Sequence, residues 1–200
     1  MVNSIQIRQS KIKISKEKSL EIENDYKFTP GIYKLTGANG SGKSIFLEYL
    51  SGFKQSRNIS CNIERANILY LGETGLGVED LTILENIKLI NWIFGLHLDD
   101  GSISKVEALY TKEQLNTIYS QASFGMQIMV GLSLLFSQKH WQLIVLDETL
   151  SGVDVNNKSA IIRDIHEKLR ECIIFFVSHG SIDELNESKE VMIADGKVLL

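Results

Sequence analysis

Two hundred residues, 44% apolar and 23% charged, can build one domain with a full core and a solvated surface, which excludes a disordered chain. One proline and fifteen glycines exclude collagen-like and proline-rich architectures, and no repeat of roughly 20–50 residues is visible. The net charge of −4, without a long block of lysine and arginine, weighs against a nucleic-acid partner.

In chain order, residues 1–15 alternate polar and apolar side chains and contain no signal-like apolar run. Ile5 and Ile7, Ile12 and Ile14, and Leu20 and Ile22 repeat with period two, which predicts half-buried antiparallel strands. Pro30-Gly31 turns into a short strand, Ile32 to Leu35, that stops at a glycine-rich loop. A helix is predicted over 43–51 with Gly52 as its C-cap, and a strand over 68–71.

The middle of the chain reads as helical: 82–94 with Ile83, Leu84, Ile87 and Ile90 on one face, 104–110, 111–119 and 123–136. Thr111 and Gln114 make a capping box. A helical subdomain at about 82–135, inserted in an α/β core, follows. Beyond it lie a buried strand at 143–146, a helix over 156–170, a buried strand at 172–177, a capping box of Ser181 and Glu184, and a hairpin turning at Asp195-Gly196. The apolar stretches 89–98, 126–136 and 173–177 are shorter than the ~20 residues that span a bilayer, so a soluble, cytosolic protein is expected. Cys61 and Cys172 lack a CxxC or Cys/His setting and read as reduced, packed thiols.

Gly37-Ala38-Asn39-Gly40-Ser41-Gly42-Lys43-Ser44 is a full G-x-x-x-x-G-K-[ST] between a strand and a helix. Its glycines let successive backbone N–H groups converge on a phosphate, Lys43 reaches the β- and γ-phosphates, and the Ser44 hydroxyl is placed for Mg²⁺. The buried strand Leu143-Ile144-Val145-Leu146 runs into Asp147-Glu148. Carboxylates at such a strand end suit a metal ligand (Asp147) and a base for the attacking water (Glu148). His179 ends another apolar strand and is assigned a hydrogen bond to the γ-phosphate. Ser151-Gly152-Val153-Asp154 follows closely enough to stay in that site.

The order of these motifs resembles the ATP-binding cassette (ABC) ATPases over nearly the whole chain: phosphate loop, LTILEN at Leu81–Asn86, inserted helices, LIVLDE, SGVD, and SHG at Ser178–Gly180. Small bacterial cassettes that serve a separate membrane permease are the nearest in pattern. The resemblance implies an α/β P-loop NTPase core with a mostly parallel sheet, an N-terminal antiparallel β subdomain and the inserted helices. It implies an ATPase using ATP and Mg²⁺, lying in the cytoplasm against the inner face of the membrane. Two such subunits, alike or different, would sandwich ATP head to tail and drive a transmembrane permease.

Three places depart from the family pattern. Where it has LSGGQ, this chain has Ala122-Ser123-Phe124-Gly125-Met126. Ser123 and Gly125 match the positions that would serve the γ-phosphate of the opposing subunit, and Ser123 also suits an ordinary helix N-cap. Glu73 stands where the family has a glutamine that touches Mg²⁺ or water; a solvated loop glutamate is the other reading. No aromatic in the first strands is placed to stack on adenine, Tyr26 and Phe28 reading as core or surface. Glu85, Asn86 and Trp92 fall where a permease helix would dock, with Trp92 also suited to the subdomain's core. The rival readings are a soluble cassette ATPase and a regulatory module that binds ATP but barely hydrolyses it. One cassette without sustained heptads, with Glu148 and His179 present, favours the transporter subunit.

Overall fold

A computed structural model describes residues 3–16, 18–96, 100–136, 141–168, 171–177 and 187–200. His179, the SHG motif and the Ser181/Glu184 capping box lie outside the described residues. The chain divides into two compact units: Met1–Tyr70 with Trp141–Glu148 and Lys168–Leu200, and Leu71–His140 with Thr149–Glu167.

The first unit holds the sheets. A three-stranded sheet is ordered β4-β1-β6, with β1 (Ile5–Ile7) antiparallel to both β4 (Tyr26–Phe28) and β6 (Ile59–Cys61). An eight-stranded sheet is ordered β2-β3-β11-β10-β5-β9-β8-β7. Its members are β2 (Ser10–Lys13), β3 (Ser19–Ile22), β5 (Gly31–Gly37), β7 (Ile68–Leu71), β8 (Leu143–Asp147), β9 (Ile173–Val177), β10 (Lys189–Ala194) and β11 (Lys197–Leu199). The run β10-β5-β9-β8 is parallel, while the β2-β3 and β10-β11 hairpins are antiparallel.

Every residue of β8 and β9 is buried, which explains their unbroken apolar runs. The β2-β3 hairpin joins the large sheet because β3 pairs in parallel with β11, whereas β1 and β4 form the small one. Asp195 (φ 49°) and Gly196 (φ 74°) form the left-handed turn between β10 and β11. Between the sheets, α1 (Lys43–Leu50) buries Phe46, Leu47 and Leu50. An aromatic cluster of Phe28, Tyr33 and Phe175, with Tyr26 edge-on at 4.8 Å from Phe28, completes the core. Tyr26 and Phe28 are thus core residues.

The second unit is helical. It contains α2 (Ile83–Ile93), α3 (Asp100–Glu107), α4 (Lys112–Leu115), α5 (Phe124–Leu132) and most of α6 (Val155–Lys168). Capping boxes open α2 (Thr82/Glu85) and α4 (Thr111/Gln114). The last predicted turn of α5 is instead a 3-10 turn, Ser133–Phe136. No helix among the described residues is long and apolar enough to cross a membrane.

Candidate functional site

β5 ends at Gly37, and the loop to α1 carries glycines at φ 147° (Gly37), 72° (Gly40) and 104° (Gly42), values that side chains rarely adopt. Gly37 is further constrained because a Cβ there would strike the carbonyl oxygen of Ile193 on β10 and lie 2.9 Å from Ser41 Oγ. Lys43 is 7% exposed; its ammonium folds over the loop and donates to the carbonyls of Gly37 (3.0 Å) and Ala38 (3.2 Å). Two of its three N–H groups are so used. Ser44 is exposed.

The N-cap of α1 is Gly42, which has no side chain to cap it, and no acidic residue sits in the first turn, so the positive end of the helix suits an anion. Ser41 Oγ is buried without a hydrogen-bond partner among the described residues. Open glycine backbone, an uncapped helix end and an orphaned hydroxyl fit a polyphosphate. Lys18 and Ile14 of this unit also reach the loop. Lys18 Nζ lies 3.5 Å from the Gly40 carbonyl, and Ile14 packs where a Cβ on Gly42 would be.

β8 delivers Asp147, which is 5% exposed. Its Oδ2 accepts from the Tyr70 hydroxyl (3.1 Å), while its Oδ1 is buried without a partner among the described residues. A buried carboxylate oxygen left without a donor is costly, and a cation would offset that cost. The Tyr70 hydroxyl is also 3.5 Å from the backbone oxygen of Ser44, so Asp147 and the start of α1 meet around it. Burial first, then the adjacent Asp147 carboxylate, pushes the Tyr70 phenol far above its ordinary pKa and keeps it a donor. Asp147 and Ser44 are two oxygen donors, the usual protein share for Mg²⁺ when phosphates and water supply the rest. The residues present fit Mg²⁺.

Glu148 follows with φ 59°, the left-handed region that non-glycine residues seldom occupy. Such strain persists where surrounding structure enforces it, and it concentrates at functional sites. Among the predicted residues, the first unit holds the whole loop Gly37–Ser44, Asp147 and Glu148, and Tyr70 links Asp147 to the end of that loop. His179 lies outside the described residues.

Glu73, Ser123 and Gly125 belong to the second unit. Glu73 is exposed. The Thr149 hydroxyl, buried beyond Glu148, donates to the carbonyls of Leu71 (2.9 Å) and Gly72 (3.3 Å) and so ties down the start of the Glu73 loop. Asn86 fixes the far end of that loop: its amide donates to Val78, Leu81 and Thr82 carbonyls and accepts from Val78 N–H. Asn86 is fully buried, so it is no docking residue; that expectation is corrected. Glu85 is exposed but engaged in the Thr82 capping box, and those hydrogen bonds lower its pKa. Trp92 is 76% exposed and thus not a core residue; it lines a groove of about 470 Å³ with Leu84, Ile87, Leu96, Ile103 and Val106.

Ser123 is the N-cap of α5, its Oγ accepting from Met126 N–H at 3.3 Å. Gly125 has a local reason to be glycine: a Cβ would sit 2.6 Å from the Gly152 carbonyl oxygen. Asp154 of the SGVD stretch caps α6, its Oδ1 accepting from Asn156 and Asn157 N–H at 3.1 Å. Tyr70, Thr149 and Ile14 escaped sequence reasoning. Tyr70 and Thr149 act through partners more than 70 positions away, and Ile14 carries no polar group to notice.

A family model described as "ABC transporter" matches residues 25–151. The Escherichia coli microcin-J25 export ATP-binding/permease protein McjD is 29% identical over 171 residues, 76% of this chain and 29% of its own length. The Bacillus subtilis (strain 168) ABC transporter ATP-binding protein YybJ is 26% identical over 181 residues, covering 84% of this chain and 82% of that protein. A solved ATP-binding subunit of an ABC transporter superposes with a TM-score of 0.76 at 21% identity, over 99% of this chain and 88% of that one, a likeness of fold. This chain spans under a third of the first relative and most of the second. Because the matched segment fills well over half of the sequence and contains both the phosphate loop and the Asp147-Glu148 strand end, the chain belongs to the ABC transporter family.

Proposed function

We propose that this chain is an ATP-hydrolysing subunit that powers a separate membrane permease. The observation that carries the reading is the orphaned Oδ1 of buried Asp147, held beside an uncapped phosphate loop. Gly37, Ala38, Asn39, Gly40, Ser41 and Gly42 offer backbone N–H groups to the phosphates of ATP, and Lys43 leaves its loop carbonyls to neutralise their charge. Ser44, Asp147 and Glu73 are the oxygen donors assigned to Mg²⁺. When bound, Mg²⁺ would supply positive charge that offsets the charge of the phosphates. Glu148 accepts the proton of the water that attacks the γ-phosphorus, as the bond to the ADP oxygen breaks. His179 is assigned a hydrogen bond to the γ-phosphate.

Ser123 and Gly125 are assigned to the nucleotide of a second ABC ATPase subunit, identical or homologous, closed against this one by ATP. The whole chain acts as a single ATPase domain with its helical part, about 82–135, inserted in the α/β core. The exposed Trp92 groove supports docking of a transmembrane permease, which would hold the chain on the cytoplasmic face of the membrane.

Purification of the chain from native membranes, followed by ATPase assays with and without the co-purifying membrane protein, tests the reading. Stimulated turnover in the complex is expected. Isolation free of any membrane protein, with full turnover alone, would overturn the permease assignment in favour of a soluble ATPase.

A further inference from the structure

Buried carboxylates usually have both oxygens satisfied, because an unpaired one forfeits its hydration. Asp147 has one oxygen fixed and one not: Oδ2 is held by Tyr70, and Oδ1 is buried with no partner among the described residues. The carboxylate of Asp147 turns about χ2, a torsion with a broad, soft profile, so its direction must be set by its partners. Tyr70 is the hydrogen-bond donor to it among the described residues.

Tyr70 is in turn held from two sides. Its ring meets Phe53 edge-on at 5.5 Å with an interplanar angle of 81°, and Arg65 stacks its guanidinium 5.4 Å from the centre of the Phe53 ring. Its hydroxyl stands 3.5 Å from the Ser44 carbonyl oxygen as well as 3.1 Å from Asp147. One phenol oxygen therefore measures the spacing between the two segments that carry the assigned metal donors. The hydroxyl has a single proton, and the shorter contact to the charged oxygen takes it.

We propose that Tyr70 is the positioning residue of the metal site: its hydrogen bond pins Oδ2 of Asp147 so that Oδ1 faces a divalent cation beside Ser44. This rests on the assignment of Asp147 as a metal donor made above. Tyr70 touches neither phosphate nor metal. It acts by removing a rotation that Asp147 would otherwise have to give up on binding the cation, which is preorganisation of a ligand by its neighbour.

The test is Mn²⁺ binding, followed by the free-ion electron paramagnetic resonance signal, to the complex of full-length protein with a non-hydrolysable ATP analogue. Tyr70→Phe keeps the ring and its contact with Phe53 and deletes only the hydroxyl. Its Mn²⁺ dissociation constant is expected to rise about 10-fold, within the range typical of lost outer hydrogen bonds at metal sites. Affinity for the analogue in EDTA should stay within about twofold of the wild type. Asp147→Asn serves as the reference and should lose more Mn²⁺ affinity than Tyr70→Phe. If Asp147→Asn weakens Mn²⁺ binding and Tyr70→Phe leaves it unchanged, the positioning role is wrong while the metal assignment stands. Should neither variant alter Mn²⁺ binding, the metal assignment itself fails and the proposal with it. Parallel losses of Mn²⁺ binding, EDTA-phase nucleotide binding and melting temperature in Tyr70→Phe would mark a packing role and overturn the proposal.

Discussion

Gly125→Ala is expected to destabilise the second unit even though alanine is the better helix former. Gly125 lies in the first turn of α5, and its Cα approaches the turn that precedes α6. An added Cβ would stand 2.6 Å from the Gly152 carbonyl oxygen, a backbone atom that cannot swing aside as a side chain can. Overpacking of this kind costs about 1–3 kcal/mol, and the helix-propensity gain of alanine over glycine returns up to about 1 kcal/mol. The net loss is about 1–2 kcal/mol, which for a chain of this size lowers the melting temperature by roughly 3–7 °C. Thermal and urea unfolding of the nucleotide-free protein measures it. An alanine protein that melts at or above the wild-type temperature would refute the close approach. The same contact changes how variants of the signature stretch are interpreted. Any residue larger than glycine at 125 disturbs the Gly152 turn of its own chain, so failure of such a variant to pair does not identify a contact across subunits. Ser123→Gly is the cleaner probe, because glycine replaces serine at an N-cap for only a few tenths of a kcal/mol. Loss of ATP-driven pairing with little change in melting is the result expected for a hydroxyl that acts on a second subunit.

Glu148→Gly and Glu148→Ala are both expected to abolish hydrolysis, and the glycine protein should be the more stable by about 1 kcal/mol. Both lose the same side chain, but only glycine relieves the strain at φ 59°. Urea unfolding of the two variants checks this, and an alanine protein as stable as the glycine one would contradict it. Asn86→Ala should cost roughly 2–4 kcal/mol by stranding the Val78 N–H and the carbonyls that the buried Asn86 amide now serves. Faster hydrogen exchange across residues 72–82 would accompany the loss, and unchanged exchange there would show that Asn86 does not hold the loop.

The elements carrying the proposed phosphate site were legible because each rests on local chemistry. Eight consecutive residues define the loop, and an apolar run that ends in two acids defines β8 and its tip. Period-two alternation correctly marked Ile5, Ile12 and Leu20 as strand residues, but it says nothing about partners. Hence the separation of β1 and β4 from the β2-β3 hairpin, with β3 pairing in parallel to β11, had no signal in the alternation itself. β6 was missed because Ile59 to Cys61 offers one β-branched residue, whereas Ile5 and Ile7 open a run of period-two pairs. Asn86 was misread because a polar residue in an amphipathic helix ordinarily faces water; here its amide substitutes for the missing backbone partners of a loop. Tyr70 resembles any strand tyrosine until Asp147 is seen against it. The left-handed backbone of Glu148 is likewise imposed by tertiary structure, since nothing in a glutamate residue favours φ 59°.

The central claim is that Glu148 serves as the base at a phosphate site formed by the Gly37–Ser44 loop and Asp147. Single-turnover ATP hydrolysis by Glu148→Gln, measured beside equilibrium ATP binding, tests it most directly. Glutamine keeps the size and the strained backbone of the residue but cannot take the proton, so the rate should fall about 10²–10⁴-fold with binding nearly intact. Hydrolysis by Glu148→Gln at the wild-type rate would contradict the claim.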